Sequence, residues 1–209
     1  MPSTQDVARE TIDILPVLVV AASQTMGRGR SGADWENADR ALAVSYAFHH
    51  DPDDQRPFSL MAGVAAVDVT GDVAVAGLKW PNDLLAGTMK VGGILVERSG
   101  DVTVVGLGLN LYWPEPPAGV GALFEEDPGE TTHLEMGALW GAGLNRMLDG
   151  TGWPLARYRE LCVTLGRHIT WEPDGAGQAV DVDDDGGLIV EQGGVTRTIF
   201  SGEVRHLTS

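Results

Sequence analysis

Four cationic side chains in glycine-containing segments are the residues of this chain best suited to chemistry. Arg28 and Arg30 alternate with glycines in the loop at 27–30, Lys79 opens a Lys-Trp-Pro-Asn-Asp block, and Lys90 precedes Val-Gly-Gly. A planar guanidinium pairs well with a carboxylate or a phosphate. Glycine also lets a ligand lie close to the main chain. The pattern therefore predicts a small-molecule cleft for anionic ligands.

Each of these segments also has a plainer interpretation. The loop at 27–32 formally matches the dinucleotide-binding pattern G-x-G-x-x-G, but that pattern needs a helix directly after it, and here Asp34 and Glu36 stand where a phosphate would sit. Taken alone, the loop is typical of a surface turn and the block at 79–83 of a strand-to-turn connection. The apolar run at 104–110 is typical of an ordinary buried strand. The residue types by themselves leave these alternatives open.

Composition excludes several classes of function. The 209 residues carry a formal net charge of -16 and a pI near 4.5, which argues against a nucleic-acid partner because such binding depends on clustered Lys and Arg. The one cysteine, Cys162, cannot form an internal disulfide, and its apolar neighbours predict a buried, inert thiol. The chain has no 18-residue apolar run, and Met1 to Arg9 lack the apolar core of a signal peptide. We therefore expect no membrane association and a cytoplasmic location.

Hydrophobic patterning predicts an α+β fold for the first 165 residues, with a mixed or antiparallel sheet because only turns separate several of its strands. Ser3 or Thr4 is expected to cap a first helix, Thr132 and Glu135 form a capping-box pattern, and the Pro- and acid-rich segment 113–128 predicts a mobile connection. The predicted strands are Val17 to Ala22, Ala41 to Phe48, and those near 73–79, 91–97 and 102–109. The predicted helices are Asp6 to Thr11, Ser59 to Thr70, Thr132 to Leu148 and Pro154 to Leu165.

The pattern changes after Gly166. Short β-branched runs at 168–171, 179–182, 187–190 and 196–200 are separated by Gly and Asp turns. They predict a small closed β-barrel of about 45 residues, appended to the larger unit. We therefore expect two domains, residues 1–165 and 166–209.

Several separated blocks together resemble one family, the biotin protein ligases. Gln24, Gly27, Arg28 and Arg30 match the glycine–arginine loop of these enzymes, although Ser31 stands where a third arginine is usual. The Lys-Trp-Pro-Asn-Asp block at 79–83 is nearly a signature of the family. Further matches are Ser3 and Thr4 of its Ser-Thr-Asn element, in which Gln5 replaces the Asn, then Lys90, Asn110, and Gly-Glu-Val at 202–204.

This resemblance implies the fold, the activity and the roles of individual residues. The fold would be the biotin–lipoate ligase fold, which is like that of class II aminoacyl-tRNA synthetases, with a C-terminal SH3-like barrel. Lys90, Arg28 and Arg30 would be catalytic. The biotin-binding residues would be Ser3, Thr4, Gln24, Gly27, Arg28, Lys90 and Gly93. The nucleotide-binding residues would be Arg30, Trp35, Lys79, Asn82 and Asn110, with Asp83 near a magnesium ion.

The implied reaction uses ATP and biotin as substrates, with Mg²⁺. Biotin would be activated as biotinyl-5'-AMP and then passed to a lysine of a biotin carboxyl carrier protein. Lipoate or octanoate ligation on the same architecture and non-catalytic binding of biotin or nucleotide are the alternatives. The winged helix that precedes this domain in some relatives has no counterpart here, so no DNA-repressor role is expected. A homodimer is one option for its assembly.

Overall fold

The computed structural model of the chain describes residues 1–33, 35–71, 77–200, 202 and 204–207. None of the helices in these ranges has the length and apolar character needed to cross a membrane. The helices are α1 Thr4–Glu10, α2 Phe58–Thr70, α3 Thr132–Leu148 and α4 Leu155–Leu161. The strands are β1 Val17–Ala21, β2 Arg40–His49, β3 Gly77–Lys79, β4 Asp83–Ala86, β5 Met89–Ser99, β6 Val102–Tyr112, β7 His168–Trp171, β8 Gly175–Val182, β9 Leu188–Gln192, β10 Val195–Ile199 and β11 Val204–His206.

The first six strands form one antiparallel sheet in the order β1-β2-β6-β5-β4-β3. Helices α2 and α3 pack together, α2 lies against β5 and β6, and α1 also packs on β2 and β6. Because helices cover the sheet, β2 is an almost continuous buried run from Ala41 to Phe48. The predicted α+β fold with an antiparallel sheet is confirmed.

Two predictions about helix ends are wrong. Ser3 precedes α1 without a side-chain capping bond, and the hydroxyl of Thr4 instead donates to the Gln24 side chain. Thr132 lies inside α3 and donates to the Pro128 carbonyl at 2.7 Å, so the capping box does not form. In both cases the hydroxyl that the local sequence pattern assigns to the helix cap donates to another group, either a distant side chain or a carbonyl of the preceding turn.

Other helices and strands have ends that differ from the predicted ones, because hydrogen bonds between distant segments override the local sequence pattern. Helix α4 ends at Leu161, four residues early, because Val163 donates its N–H to the Leu78 carbonyl beside β3. The short strand β4 was not predicted. Residues 73–76 of the strand expected near 73–79 lie outside the described residues, as do Asp34, Ser201 and Glu203.

The segment at 113–128 is tied to the sheet, contrary to the predicted mobile connection. Leu123 and Phe124 donate backbone N–H groups to the carbonyls of Asn110 and Leu111, each at 2.9 Å, and Leu123 is buried. The N–H of Lys90 donates to the Gly119 carbonyl at 3.0 Å. The segment therefore forms a cover along the ends of β5 and β6.

The last five strands form a second antiparallel sheet in the order β10-β9-β8-β7-β11. Within the ranges the structure covers, β10 and β11 are its edges and no pairing joins them, so the sheet is open where a closed barrel was predicted. Its buried residues, Ile169, Leu188 and Val204 among them, belong to the same apolar cluster as the core of the first sheet. The division at residue 165 therefore remains a prediction, since the two sheets share one core.

Close packing at Gly77 joins the first sheet to the segment that leads into the second. A Cβ at Gly77 would overlap Cγ1 of Val163 and lie 3.1 Å from the Leu161 carbonyl oxygen. We expect Gly77→Ala to lower the free energy of unfolding by about 1–3 kcal/mol, the usual cost of overpacking. Thermal denaturation checks this, with Gly152→Ala as the matched control because no atom lies within 4 Å of its added Cβ. Equal melting temperatures for the two variants would contradict the prediction.

Candidate functional site

One large cavity gathers almost all of the predicted site residues. Its volume is about 830 Å³, and its walls come from α1, the glycine–arginine loop, the β3–β5 turns, β6 and the C-terminal sheet. The predicted residues that line it are Ser3, Thr4, Gln24, Arg28, Arg30, Trp35, Lys79, Asn82, Asp83, Lys90 and Gly93.

A chain of hydrogen bonds builds one end of the cavity. Ser45 donates to the Thr4 hydroxyl at 2.8 Å, and Thr4 donates to Oε1 of Gln24 at 3.1 Å from its hydroxyl and at 2.7 Å from its backbone N–H. Ser3, Thr4 and Ser45 are all buried. This end of the cavity is therefore lined by polar side chains that are held in place by their mutual hydrogen bonds.

Gln5, next to Thr4, is a buried amide with one unused group. Its Nε2 donates to Glu97 at 3.1 Å, which assigns the orientation of the amide, and its Oε1 has no hydrogen-bond partner among the described residues. Gln5 lines the cavity. Gln5 stands where the family has an Asn, and its side chain still forms part of the cavity wall.

Asp83 joins the two lysines of the cavity, which are also the only lysines of the chain. Its carboxylate lies 2.6 Å from Nζ of Lys90 and 3.8 Å from Nζ of Lys79. The β3–β4–β5 meander sets this arrangement, because Lys79 pairs with Asp83 and Asp83 pairs with Gly93. Two ammonium groups are thereby held at one point of the cavity by a single carboxylate.

The two loop arginines have different partners. Arg30 donates from Nη1 to Oδ1 of Asn82 at 3.0 Å, which ties the loop to the β3–β4 turn. Arg28 lies 2.6 Å from a carboxylate oxygen of Asp6 and 3.6 Å from Glu97, and its side chain is 41% exposed. Both arginines face the cavity, and neither is buried.

A flat, side-chain-free patch lies between β5 and β6. Gly93 pairs with Gly108 across these strands, and the indole of Trp35 lies over both. A Cβ at Gly108 would come within 2.7 Å of the Trp35 ring. Glycine at these positions is therefore required for a planar ring to rest on the sheet.

Two predicted residues lie away from the cavity. Asn110 is buried beneath the 113–128 segment, where its Nδ2 donates to the Gly121 carbonyl at 2.9 Å and its Oδ1 has no partner among the described residues. Gly27 lines a separate shallow depression with Trp35 and Trp113. A nucleotide contact for Asn110 therefore remains a prediction, and it requires the covering segment to admit the base.

Sequence analysis missed several lining residues. Ser45, Gly106 and Gly108 reach the cavity only because β2, β6 and β5 pair in one register, and Glu172 comes from the turn that follows β7. The Gly-Leu-Gly spacing at 106–108 was a usable signal, since side chains at i and i+2 of a strand share a face. Glu172 had no such signal.

A magnesium ion fits this site only as an ion that arrives with a nucleotide. Within the described ranges, no three His, Cys, Asp or Glu side chains cluster as a metal-binding group. Mg²⁺ commonly binds through one or two carboxylates together with substrate phosphates and water. Asp83 supplies one such carboxylate.

Comparison with known proteins decides the family. Residues 1–111 match the model of the biotin/lipoate A/B protein ligase family, and residues 164–207 match that of the biotin protein ligase C-terminal domain. The chain belongs to this ligase family. It is 34% identical to the biotin–[acetyl-CoA-carboxylase] ligase of Mycobacterium tuberculosis over 93% of this chain and 80% of that protein. It is 30% identical to the Paracoccus denitrificans protein of the same name over 89% of this chain and 88% of the relative.

Solved structures of the ligase family share the fold. The biotin protein ligase of Aquifex aeolicus in complex with biotin and ATP superposes with a TM-score of 0.83 at 24% identity, over all of this chain and 96% of that one. The predicted biotin–lipoate ligase fold is thereby confirmed.

Proposed function

We propose that this chain is an ATP-dependent biotin–protein ligase that acts in two steps. In the first, a carboxylate oxygen of biotin attacks the α-phosphorus of ATP, the bond to the β-phosphate oxygen breaks, and biotinyl-5'-AMP and pyrophosphate form. In the second, a neutral lysine amine of a carrier protein attacks the acyl carbon of this mixed anhydride. AMP leaves with the bonding electron pair, the amine loses its proton, and an amide remains.

The observation that carries this proposal is the charge arrangement of the cavity. Arg28, Arg30, Lys79 and Lys90 all line it, and among the residues that the structure describes the acids that do so are Asp83 and Glu172. A carboxylate and a triphosphate repel each other, so the main task of the first step is to hold two anions in contact. A general base is not required, because a carboxylic acid is ionised at neutral pH.

The polar end of the cavity suits the ring of biotin. A cyclic urea presents two N–H donors and a carbonyl acceptor, and this end of the cavity presents the unpartnered acceptor Oε1 of Gln5 beside the polar side chains of Ser45, Thr4 and Gln24. An octanoyl chain or a dithiolane ring would leave the buried Oε1 of Gln5 unpaired, which costs affinity. The geometry therefore favours biotin over lipoate or octanoate.

The remaining roles follow from the same layout. Lys79 and Asn82, with Arg30, would face the phosphates, and the Gly93–Gly108 patch with Trp35 would adjoin the planar base. Asp83 would hold Mg²⁺, whose chemistry is to neutralise phosphate charge. Action on a biotin carboxyl carrier protein in the cytoplasm belongs to this proposal, and a homodimer without a nucleic-acid partner remains a prediction of the sequence.

Pyrophosphate exchange into ATP tests the proposed function. We expect biotin to support exchange, and lipoate or octanoate to support it about 100-fold less, because a site built around polar partners discriminates strongly against ligands that lack them. The control omits the acid. Equal exchange rates with lipoate and biotin would contradict the proposal and indicate a lipoate ligase. No exchange with any of the acids would indicate a protein that binds biotin or nucleotide without turnover.

A further inference from the structure

Trp80 lies between the two sheets and is held by the C-terminal part of the chain. The side chain is 1% exposed. Its backbone N–H donates to Oγ1 of Thr164 at 3.0 Å, and its indole Nε1 donates to the Gly186 carbonyl at 3.0 Å. Both acceptors lie within residues 164–207, the part that matches the C-terminal family model.

The Thr164 contact continues a short ladder beside β3. Leu78 and Cys162 form a parallel bridge, and Val163 donates its N–H to the Leu78 carbonyl at 3.0 Å. Two residues after Leu78, the backbone N–H of Trp80 donates to the Thr164 side chain. This amide belongs to the peptide bond between Lys79 and Trp80, so its orientation fixes the main chain from which Lys79 projects.

The hydroxyl of Thr164 is itself held in one orientation. Thr164 is fully buried, and its Oγ1 lies 3.0 Å from Nε2 of His206 on β11. Burial lowers the pKa of His206, and the charges of Lys79 and Arg167 lower it further, so the ring is neutral and one nitrogen accepts. With Nε2 as that acceptor, the Thr164 hydroxyl donates to His206 and accepts from the Trp80 N–H, so the hydroxyl uses both of its hydrogen-bonding roles.

We infer that Thr164 is a positioning residue for the nucleotide side of the reaction. Through Trp80 it fixes the turn that carries Lys79, Asn82 and Asp83, and so couples the C-terminal sheet to the phosphate-binding part of the cavity. This inference rests on the proposed function. The biotin end depends on other contacts, since Thr4 is held by Gln24 and Ser45. Loss of the Thr164 hydroxyl therefore affects ATP and spares biotin.

The test compares Thr164→Val, Thr164→Ser and wild type in the full chain. Pyrophosphate exchange gives the KM for ATP, and calorimetry gives the Kd for biotin without ATP. Thr164→Val removes the acceptor of the Trp80 N–H, so we expect the KM for ATP to rise about tenfold, the scale of a sub-ångström misplacement of a binding group. The Kd for biotin should change by less than about twofold, and Thr164→Ser should restore the KM to within about threefold of wild type.

Two further variants make the result decisive. Thr196→Val makes the same substitution on exposed strand β10 of the same sheet and should leave both constants unchanged. Trp80→Phe removes the indole N–H donated to Gly186 together with the five-membered part of the ring, keeps the backbone N–H donated to Thr164, and should also raise the KM for ATP selectively; it tests the coupling of the two sheets if Thr164→Val does not fold. An unchanged KM for ATP, a parallel loss of biotin affinity, or failure of serine to rescue would overturn the inference. Absence of biotin-dependent exchange in wild type would instead overturn the proposed function.

Discussion

Replacing Lys90 with alanine is expected to lower the rate of biotinyl-5'-AMP formation by about two orders of magnitude or more, the usual cost of one contact to charge that develops in the transition state. Lys90 is fixed on both sides of its backbone, since its N–H donates to Gly119 and its carbonyl accepts from Gly121. Its ammonium lies 2.6 Å from Asp83, and its side chain, which lines the cavity, is 39% exposed. A side chain held in this way reaches the meeting point of two anions without first having to be ordered.

Pyrophosphate exchange measures this loss, and circular dichroism verifies that the variant is folded. Arg157→Ala is the matched control, because it removes one exposed cation from the same acidic protein outside the cavity. We expect exchange by that control to equal that of wild type. A loss below about threefold for Lys90→Ala would assign Lys90 a structural role as the partner of Asp83.

The cluster of Lys79, Asp83 and Lys90 shows how far local sequence predicts a site. Each residue was identified from its own motif, and the proximity of the three follows from one tight meander. That meander was not predicted in full because β4 has only four residues, with the adjacent pair Leu84 and Leu85 both buried. Such a run lacks the alternation by which a strand is recognised. Motifs therefore identified the residues, and strand pairing supplied their geometry.

Contacts between distant segments were beyond prediction. The Ser45–Thr4–Gln24 chain joins three elements, and the hydroxyl that local pattern assigned to a helix cap belongs to it. Asn110 was placed on the correct strand, but the segment that covers it was expected to be mobile. Its composition suits a loop, and only the backbone pairing of Leu123 with Asn110 reveals that the loop is part of the sheet surface.

In the C-terminal sheet, the turn residues predict where strands lie but not whether the sheet closes or what it contacts. Glycine and aspartate turns located four of its five strands within a few residues, because such residues interrupt pairing regularly, and β11 was not predicted. They gave no information about closure, which depends on whether β10 and β11 meet. They also gave none about Thr164 and Gly186, whose function depends on the position of Trp80 in the other sheet.

Replacing Arg30 with glycine is expected to release biotinyl-5'-AMP before transfer and so to label bystander proteins. The loop is folded on itself, with the Gly29 N–H donating to the Ala33 carbonyl at 2.7 Å and the Trp35 N–H donating to Gly27 at 3.1 Å. Arg30 connects the loop to the opposite wall of the cavity through its hydrogen bond to Asn82. A glycine there removes both this hydrogen bond and a positive charge that lines the cavity, and it adds backbone freedom. Ligand retention should therefore suffer more than chemistry, because shielding an anhydride from water and from stray amines depends on a closed loop.

The measurement is biotinylation of serum albumin without a carrier protein, at enzyme concentrations adjusted to equal exchange rates. We expect Arg30→Gly to label albumin about tenfold more than wild type, which corresponds to the loss of one charge-assisted contact to the adenylate. Arg30→Lys is the matched variant, since it keeps the charge but not the planar donor pair, and it should label albumin less than Arg30→Gly. Asn82→Ala separates the hydrogen bond from the charge, because it removes the partner and leaves Arg30 in place. Albumin labelling by Arg30→Gly no greater than by wild type would show that the loop is a static wall of the cavity, whose arginines bind the substrates without controlling their release.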